Sequence, residues 1–175
     1  MAFWQLKQFK IVFPLVLFFL LFLDGTLMSS LNGLLTHFPY YILPNLTFVW
    51  LFYAVQFERD RNVVFLWLAA LIGVLFDAYY TGFFGAHAFA FWASAYVIRQ
   101  IHHYYTETLL SAVFQLAIGL AVFYLLIYGA GIVVGQADVG LVSFVLNQVL
   151  PTMALNIGIM VLLYYPVWRW FQILT

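Results

Sequence analysis

Residues 11–31 read IVFPLVLFFLLFLDGTLMSSL, an apolar run interrupted by one acidic residue, Asp24. A run of about 20 apolar residues is what a helix needs to cross the hydrocarbon core of a bilayer. Lys7 and Lys10 precede it, as in a signal peptide, but no small-residue cleavage site follows where one would be needed. The run therefore predicts an uncleaved first membrane span.

The whole chain shares this apolar character. Of its 175 residues, 67% are hydrophobic and 7% are charged, and the mean hydropathy is +1.05. A water-soluble domain could not bury that much apolar surface, so lipid must surround most of the chain. A formal net charge of zero disfavours nucleic-acid binding, and the lack of cysteine removes disulfides and thiolate chemistry. These features predict an all-α membrane protein with one domain over residues 1–175.

Proline, glycine and charged stretches divide the chain into about six apolar segments. The clearest divider is Glu58-Arg59-Asp60-Arg61, because four consecutive charges cannot lie in hydrocarbon. The sixth segment is too long for one straight crossing, so a re-entrant or interfacial piece ending at Pro151 is one interpretation and an unbroken helix is another. The sequence thus predicts a single bundle of about six transmembrane helices, with spans at residues 11–31, 40–57, 63–80, 86–98, 109–134 and 141–170.

Basic residues indicate the orientation of these spans. With six spans, all six lysines and arginines fall on one side of the membrane: Lys7, Lys10, Arg59, Arg61, Arg99 and Arg169. Positive charge is enriched in cytoplasmic loops, so that side is predicted to be cytoplasmic. Both termini are then expected in the cytoplasm.

Two acids lie inside predicted spans, where a charge costs at least a few kcal/mol. Asp24 is about thirteen residues into the first span and Asp77 about fourteen into the third, and both spans leave the cytoplasm, so we expect the two acids at similar depth in the outer half of the membrane. Other polar residues are expected at the same level. Together they form a predicted intramembrane polar layer, which comprises Asp24, Asp77, Asn156, Thr152 and His87, with Asn45 beside it.

The predicted polar layer has two functional interpretations. It is either a polar pocket open to the outer face or a hydrogen-bonded clasp that fixes how the helices pack, and the clasp is favoured because such bonds are modest in strength but specific. An aspartyl intramembrane protease would also bring two acids together, but no accompanying motif surrounds Asp24 or Asp77. Adjacent His102 and His103 lack a third ligand at metal-binding spacing. No catalytic residue, metal or cofactor is predicted.

Small residues mark a possible contact between helices. Gly131 and Gly135 form a small-xxx-small pattern that lets two helix backbones approach closely. The pattern suits a partner's helix, packing within the bundle, or a loosened helix end. We expect the internal reading.

Several motifs resemble the rod shape-determining protein MreD family. They are Gly73-x-x-x-Asp77, Tyr79-Tyr80-Thr81-Gly82-x-x-Gly85, Leu150-Pro151-Thr152 with Asn156, and Tyr164-Tyr165-Pro166-x-x-Arg169. The chain length, the charged loop after the second span and the arginine at the end of the sixth span match as well. The resemblance covers the whole chain.

The resemblance implies a non-enzymatic subunit of the bacterial cell-elongation machinery in the cytoplasmic membrane. Its implied partners are the bitopic protein MreC and, through it, the glycosyltransferase RodA, its transpeptidase and MreB filaments, which together insert peptidoglycan along the side wall. The implied fold resembles the substrate-binding subunits of energy-coupling-factor transporters. By the same resemblance, Asp77, Gly82 and Gly85 would shape the outer end of spans three and four. Pro151, Thr152 and Asn156 would shape the bend in span six.

A different class of function stays open at this point. A substrate-binding subunit of a vitamin-type uptake transporter would also have six helices, and aromatic residues such as Trp92 and Tyr96 could hold its ligand. Against this reading, the first span lacks the Ala-x-x-x-Ala pattern expected for contact with a transport partner. An enzyme acting on lipid is a third possibility that nothing in the loops supports.

Overall fold

The computed structural model describes residues 2–37, 39–57, 64–81, 85–105, 108–136 and 139–174. Its helices include two π-helical turns, Asp77–Thr81 and Val145–Val149. The α-helices of the described residues are α1 Ala2–Ser30, α2 Asn32–Leu35, α3 Leu46–Phe57, α4 Val64–Phe76, α5 Ala86–His102, α6 Leu109–Val134, α7 Leu141–Phe144 and α8 Leu150–Leu174.

Three helical stretches are long and apolar enough to cross a membrane: Val12–Ser30, Leu109–Val134 and Leu141–Trp170. Leu46–Gln56 and Phe65–Thr81 are shorter apolar helices. The prediction of an all-α membrane protein is confirmed. The number of crossings stays a prediction.

Helix α3 lies at the centre of the bundle. Five helices surround it in a ring, since α1 contacts α4, α4 contacts α5, α5 contacts α6, α6 contacts α8, and α8 returns to α1. Every residue from Thr47 to Gln56 is buried, so α3 is covered on all sides. A helix that is apolar around its whole circumference needs such a position. The hydroxyl of Tyr53 also donates a hydrogen bond to the Met160 carbonyl of α8.

Close packing of α4, α5 and α6 depends on two glycines. A Cβ atom on Gly73 would lie 2.3 Å from the Cα atom of Ala88, and one on Gly119 would lie 2.4 Å from the Cδ1 atom of Ile98. Both distances are too short for real atoms. The missing side chains therefore allow α5 to approach α4 on one side and α6 on the other.

The second predicted span starts differently in the structure. We expected it from residue 40, but helix α3 begins at Leu46, and residues 41–45 are not helical. Pro44 accounts for part of the difference, because a proline pushes the residue before it out of helical geometry. The non-helical segment 41–45, which is exposed at Tyr41 and buried at Pro44 and Asn45, binds α8 as described below.

The sixth predicted span is helical throughout. Residues 141–174 form α7, a π-helical turn and α8 in succession, so the helix continues through Pro151. Proline has no N–H to donate to the carbonyl four residues earlier, that of Asn147. The backbone N–H of Tyr41 donates to this carbonyl instead, at 3.0 Å.

Candidate functional site

Asp24 on α1 caps the first turn of α3. Its Oδ1 atom accepts a hydrogen bond from the backbone N–H of Leu46 at 2.8 Å, and its Oδ2 atom accepts from the N–H of Thr47 at 2.9 Å. The Thr47 hydroxyl donates to Oδ2 at 2.7 Å. The first N–H groups of a helix have no partner within the helix, so they need an outside acceptor. Here a side chain 22 residues earlier in the chain supplies it.

Asp77 caps α5 in the same way. Its Oδ2 atom accepts from the N–H of Gly85 at 2.7 Å, and its Oδ1 atom accepts from the N–H of His87 at 3.1 Å. The Nδ1 atom of the His87 ring lies 2.8 Å from Oδ1, and the Thr81 hydroxyl adds a longer contact. Gly85 has a φ of 108°, a backbone conformation that favours glycine at this turn.

Helices α3 and α5 thus begin in the same way, with an aspartate from an earlier helical segment as the cap. An acid near the C-terminal end of one helical segment supplies the acceptor for the N-terminus of a later helix, where the helix dipole also favours a negative charge. Asp24 and Asp77 are both buried, yet they bind separate sets of donors. The structure brings His87 to Asp77 and leaves Asp24 with α3.

Tyr80 connects the two caps. Its hydroxyl donates to the carbonyl of Leu21 on α1 at 3.0 Å, one turn before Asp24. Gly25 makes room for the ring, because a Cβ atom there would lie 2.1 Å from the Tyr80 hydroxyl oxygen. Helix α1 is therefore held to the end of α4 by a contact that requires both the tyrosine and the glycine.

Thr152 and Asn156 on α8 bind the non-helical segment 41–45. The Thr152 hydroxyl accepts from the N–H of Leu43 at 3.1 Å, and the Asn156 side-chain oxygen accepts from the N–H of Asn45 at 2.8 Å. The Asn156 amide nitrogen donates to the Leu43 carbonyl at 3.0 Å. Both α8 side chains are fully buried. They satisfy backbone groups that lipid could not satisfy.

Thr152 and Asn156 thus bind backbone groups of segment 41–45 rather than other side chains. Ile42 donates to the Leu35 carbonyl, and Phe48 and Val49 donate to the side chain and backbone of Asn45. Every N–H group from residue 41 to residue 49 therefore has an acceptor, apart from Pro44, which has no N–H. Sequence reasoning missed segment 41–45 because it placed a helix there. The nearby pair Pro39 and Pro44 was the available signal.

The predicted packing glycines have other local roles. Gly135 ends α6 with a φ of 75°, and its N–H bonds the carbonyls of Gly131 and Ile132. Glycine in this conformation commonly terminates helices. Gly82 lies outside the described residues.

Two further sets of predicted residues lie on the outside of the bundle or at its end. Trp92 and Tyr96 stack on each other at 5.8 Å and 9°, and 42% of Tyr96 is exposed, so this pair does not line an interior cavity. His102 is the last residue of α5, and its Nδ1 atom lies 3.2 Å from the Oε1 atom of buried Gln115. Among the residues with described positions, no three side chains are grouped to hold a metal ion.

These contacts define the class: an all-α membrane protein in which the buried acids Asp24 and Asp77 and the buried amide of Asn156 are bonded to the protein's own backbone. A family model described as rod shape-determining protein MreD matches residues 8–174. The chain belongs to this family, and the resemblance drawn from its motifs is confirmed. No curated protein and no solved structure gives a significant match to the chain.

Proposed function

We propose that this chain is a non-enzymatic scaffold subunit of the bacterial cell-elongation machinery. It pairs with an MreC-like bitopic protein and helps to organise lateral peptidoglycan synthesis and rod shape. The observation that carries the proposal is the family match over residues 8–174.

The polar contacts support a structural role. Asp24 and Asp77 each accept at least two backbone N–H groups, so their oxygens are already occupied by the fold. Asn156 is used in the same way on both its oxygen and its nitrogen. A ligand pocket would need some of these groups to be available, whereas a clasp uses all of them. We therefore favour the clasp over a small-molecule binding site.

The proposed topology has six crossings of the bacterial cytoplasmic membrane with both termini in the cytoplasm. The chain has no cysteine, so single introduced cysteines report accessibility without background. Leu34 and Tyr104 are good positions because 79% and 88% of each side chain is exposed. An impermeant maleimide added to intact spheroplasts should label Leu34→Cys and spare Tyr104→Cys. Labelling of both, or the reverse pattern, would refute the topology.

The outer end of α6 is our proposed contact for the partner's single helix. Leu125, Gly129 and Val133 follow one another at intervals of four residues, so they share one helix face. Val133 is 87% exposed, and a Cβ atom on Gly129 would contact nothing within 4 Å. Apolar surface with a glycine at its centre allows close helix approach, which is how membrane helices associate.

A matched pair of variants tests this surface. Gly129→Leu adds bulk to the proposed contact, and Gly158→Leu adds the same bulk on α8, where a Cβ atom also has open space. Co-purification with MreC should fall for Gly129→Leu and stay at the wild-type level for Gly158→Leu. Equal recovery in both variants would remove this face of α6 from the proposal.

Depletion of the protein tests the function itself, independently of any one surface. Cells should round up and place new wall material away from its normal lateral sites, as seen by fluorescent labelling of nascent peptidoglycan. A nutrient requirement with normal shape would instead indicate an uptake protein. Complementation with Gly129→Leu would then tell whether the α6 surface is needed in the cell.

A further inference from the structure

His87 has a ring nitrogen that the α5 cap does not use. Its Nδ1 atom lies 2.8 Å from the Oδ1 atom of Asp77, which also accepts the His87 backbone N–H at 3.1 Å. An oxygen that accepts from backbone acts as an acceptor toward the ring as well, so we assign the ring proton to Nδ1. The Nε2 atom then presents a lone pair.

The ring is held in one orientation by aromatic neighbours. Phe76 stacks on it with 4.7 Å between ring centres and an angle of 28°, and Phe123 lies 6.0 Å away on α6. About 13% of the His87 side chain is exposed. No residue in the described part of the chain makes a hydrogen bond to Nε2. The acceptor is therefore oriented in advance, which lowers the entropy cost of binding a donor.

Comparison with the other cap shows that capping alone does not require an imidazole. At Asp24, the side-chain donor is the hydroxyl of Thr47, a smaller group that completes the same arrangement. At Asp77, the corresponding donor is a histidine ring with a second polar atom. The difference between two otherwise similar caps is thus one additional acceptor on the α5 cap.

We propose that Nε2 of His87 binds the hydrogen-bond-donating headgroup of an outer-leaflet phospholipid, either an ammonium or a hydroxyl group. His87 is the second residue of α5, two residues after exposed Gly85, and about 13% of its side chain is exposed. Such a site, at the end of an apolar helix, lies where headgroups begin. The inference rests on the proposed topology for the choice of leaflet only.

Nanodiscs of three compositions provide the test, because phosphatidylcholine has no hydrogen-bond donor in its headgroup. Phosphatidylethanolamine offers an ammonium and phosphatidylglycerol offers hydroxyls. The protein is labelled with 15N-histidine, and the His87 signals are assigned by their loss in His87→Asn, whose amide can still donate to Asp77. The Nε2 resonance should shift upfield in phosphatidylethanolamine, in phosphatidylglycerol or in both, relative to phosphatidylcholine.

Each outcome decides the matter. A shift with one donor lipid identifies that headgroup, and a shift with both assigns the site to donors in general. The same Nε2 resonance in all three lipids, or a proton found on Nε2 rather than Nδ1, would overturn the proposal. The comparison between lipids uses the wild-type chain, the variant serves only to assign the His87 signals, and no partner protein is required. Its failure would leave the proposed scaffold function untouched.

Discussion

Removal of the Asp24 carboxylate should strongly destabilise the bundle. In Asp24→Ala, the N–H groups of Leu46 and Thr47 lose their acceptors, and Thr47 also loses its hydroxyl contact. A buried donor left without a partner costs about 1–3 kcal/mol, and the first turn of α3 contains two such N–H groups. Loss of the negative charge at the helix N-terminus adds about 0.3–2 kcal/mol. We expect a net destabilisation of at least about 2 kcal/mol.

The measurement is thermal unfolding of the purified protein in detergent, followed by tryptophan fluorescence, together with its abundance in membranes. A loss of about 2 kcal/mol should lower the melting temperature by at least about 4 °C. Asp24→Asn keeps one acceptor oxygen and should fall between wild type and Asp24→Ala. Thr26→Ala is the control on the same helix, because its hydroxyl bonds only an exposed helix carbonyl. Wild-type melting of Asp24→Ala would refute the capping argument.

Further variants test the close packing of the helices and the hydrogen bonds to segment 41–45. Gly25→Ala should cost about 1–3 kcal/mol by its clash with Tyr80, and melting curves of the double variant with Tyr80→Ala should show that the two changes are coupled. Gly73→Ala should reduce the yield of folded protein because its Cβ atom meets the backbone of α5, whereas Gly158→Ala, with open space, should be neutral or gain up to about 1 kcal/mol. Asn156→Ala should cost about 1–3 kcal/mol for each buried group it leaves unpaired, and faster hydrogen exchange at residues 43–45 would locate the effect.

The sequence was sufficient to predict that Asp24 and Asp77 need partners, because an acid in hydrocarbon is costly. It was not sufficient to identify those partners. The donors to Asp24 and Asp77 are mostly backbone N–H groups, and every residue except proline has one, so no residue type marks them. His87 was placed in the same polar layer as the two acids, but the sequence did not indicate that it pairs with Asp77 rather than Asp24.

The start of α3 shows why segment boundaries were harder to predict than segment character. Residues 40–57 are mostly apolar, and hydropathy alone cannot separate a helix from a non-helical segment. What decides the structure of residues 41–45 lies elsewhere in the chain, in Thr152 and Asn156 of α8. Such long-range backbone contacts leave no local periodicity.

The location of these contacts bears on how the bundle could serve as a scaffold. Lipid is as apolar as the helix surfaces, so the hydrophobic effect contributes little to helix association, and specificity must come from polar bonds and close packing. Both are concentrated on the inner surfaces of the ring around α3, at Asp24, Asn156 and Gly73. On the outward face of α6, Leu125 and Val133 are exposed apolar side chains that take no part in these bonds. A partner can therefore exchange lipid for protein contact on α6 without breaking the bonds that hold the bundle together.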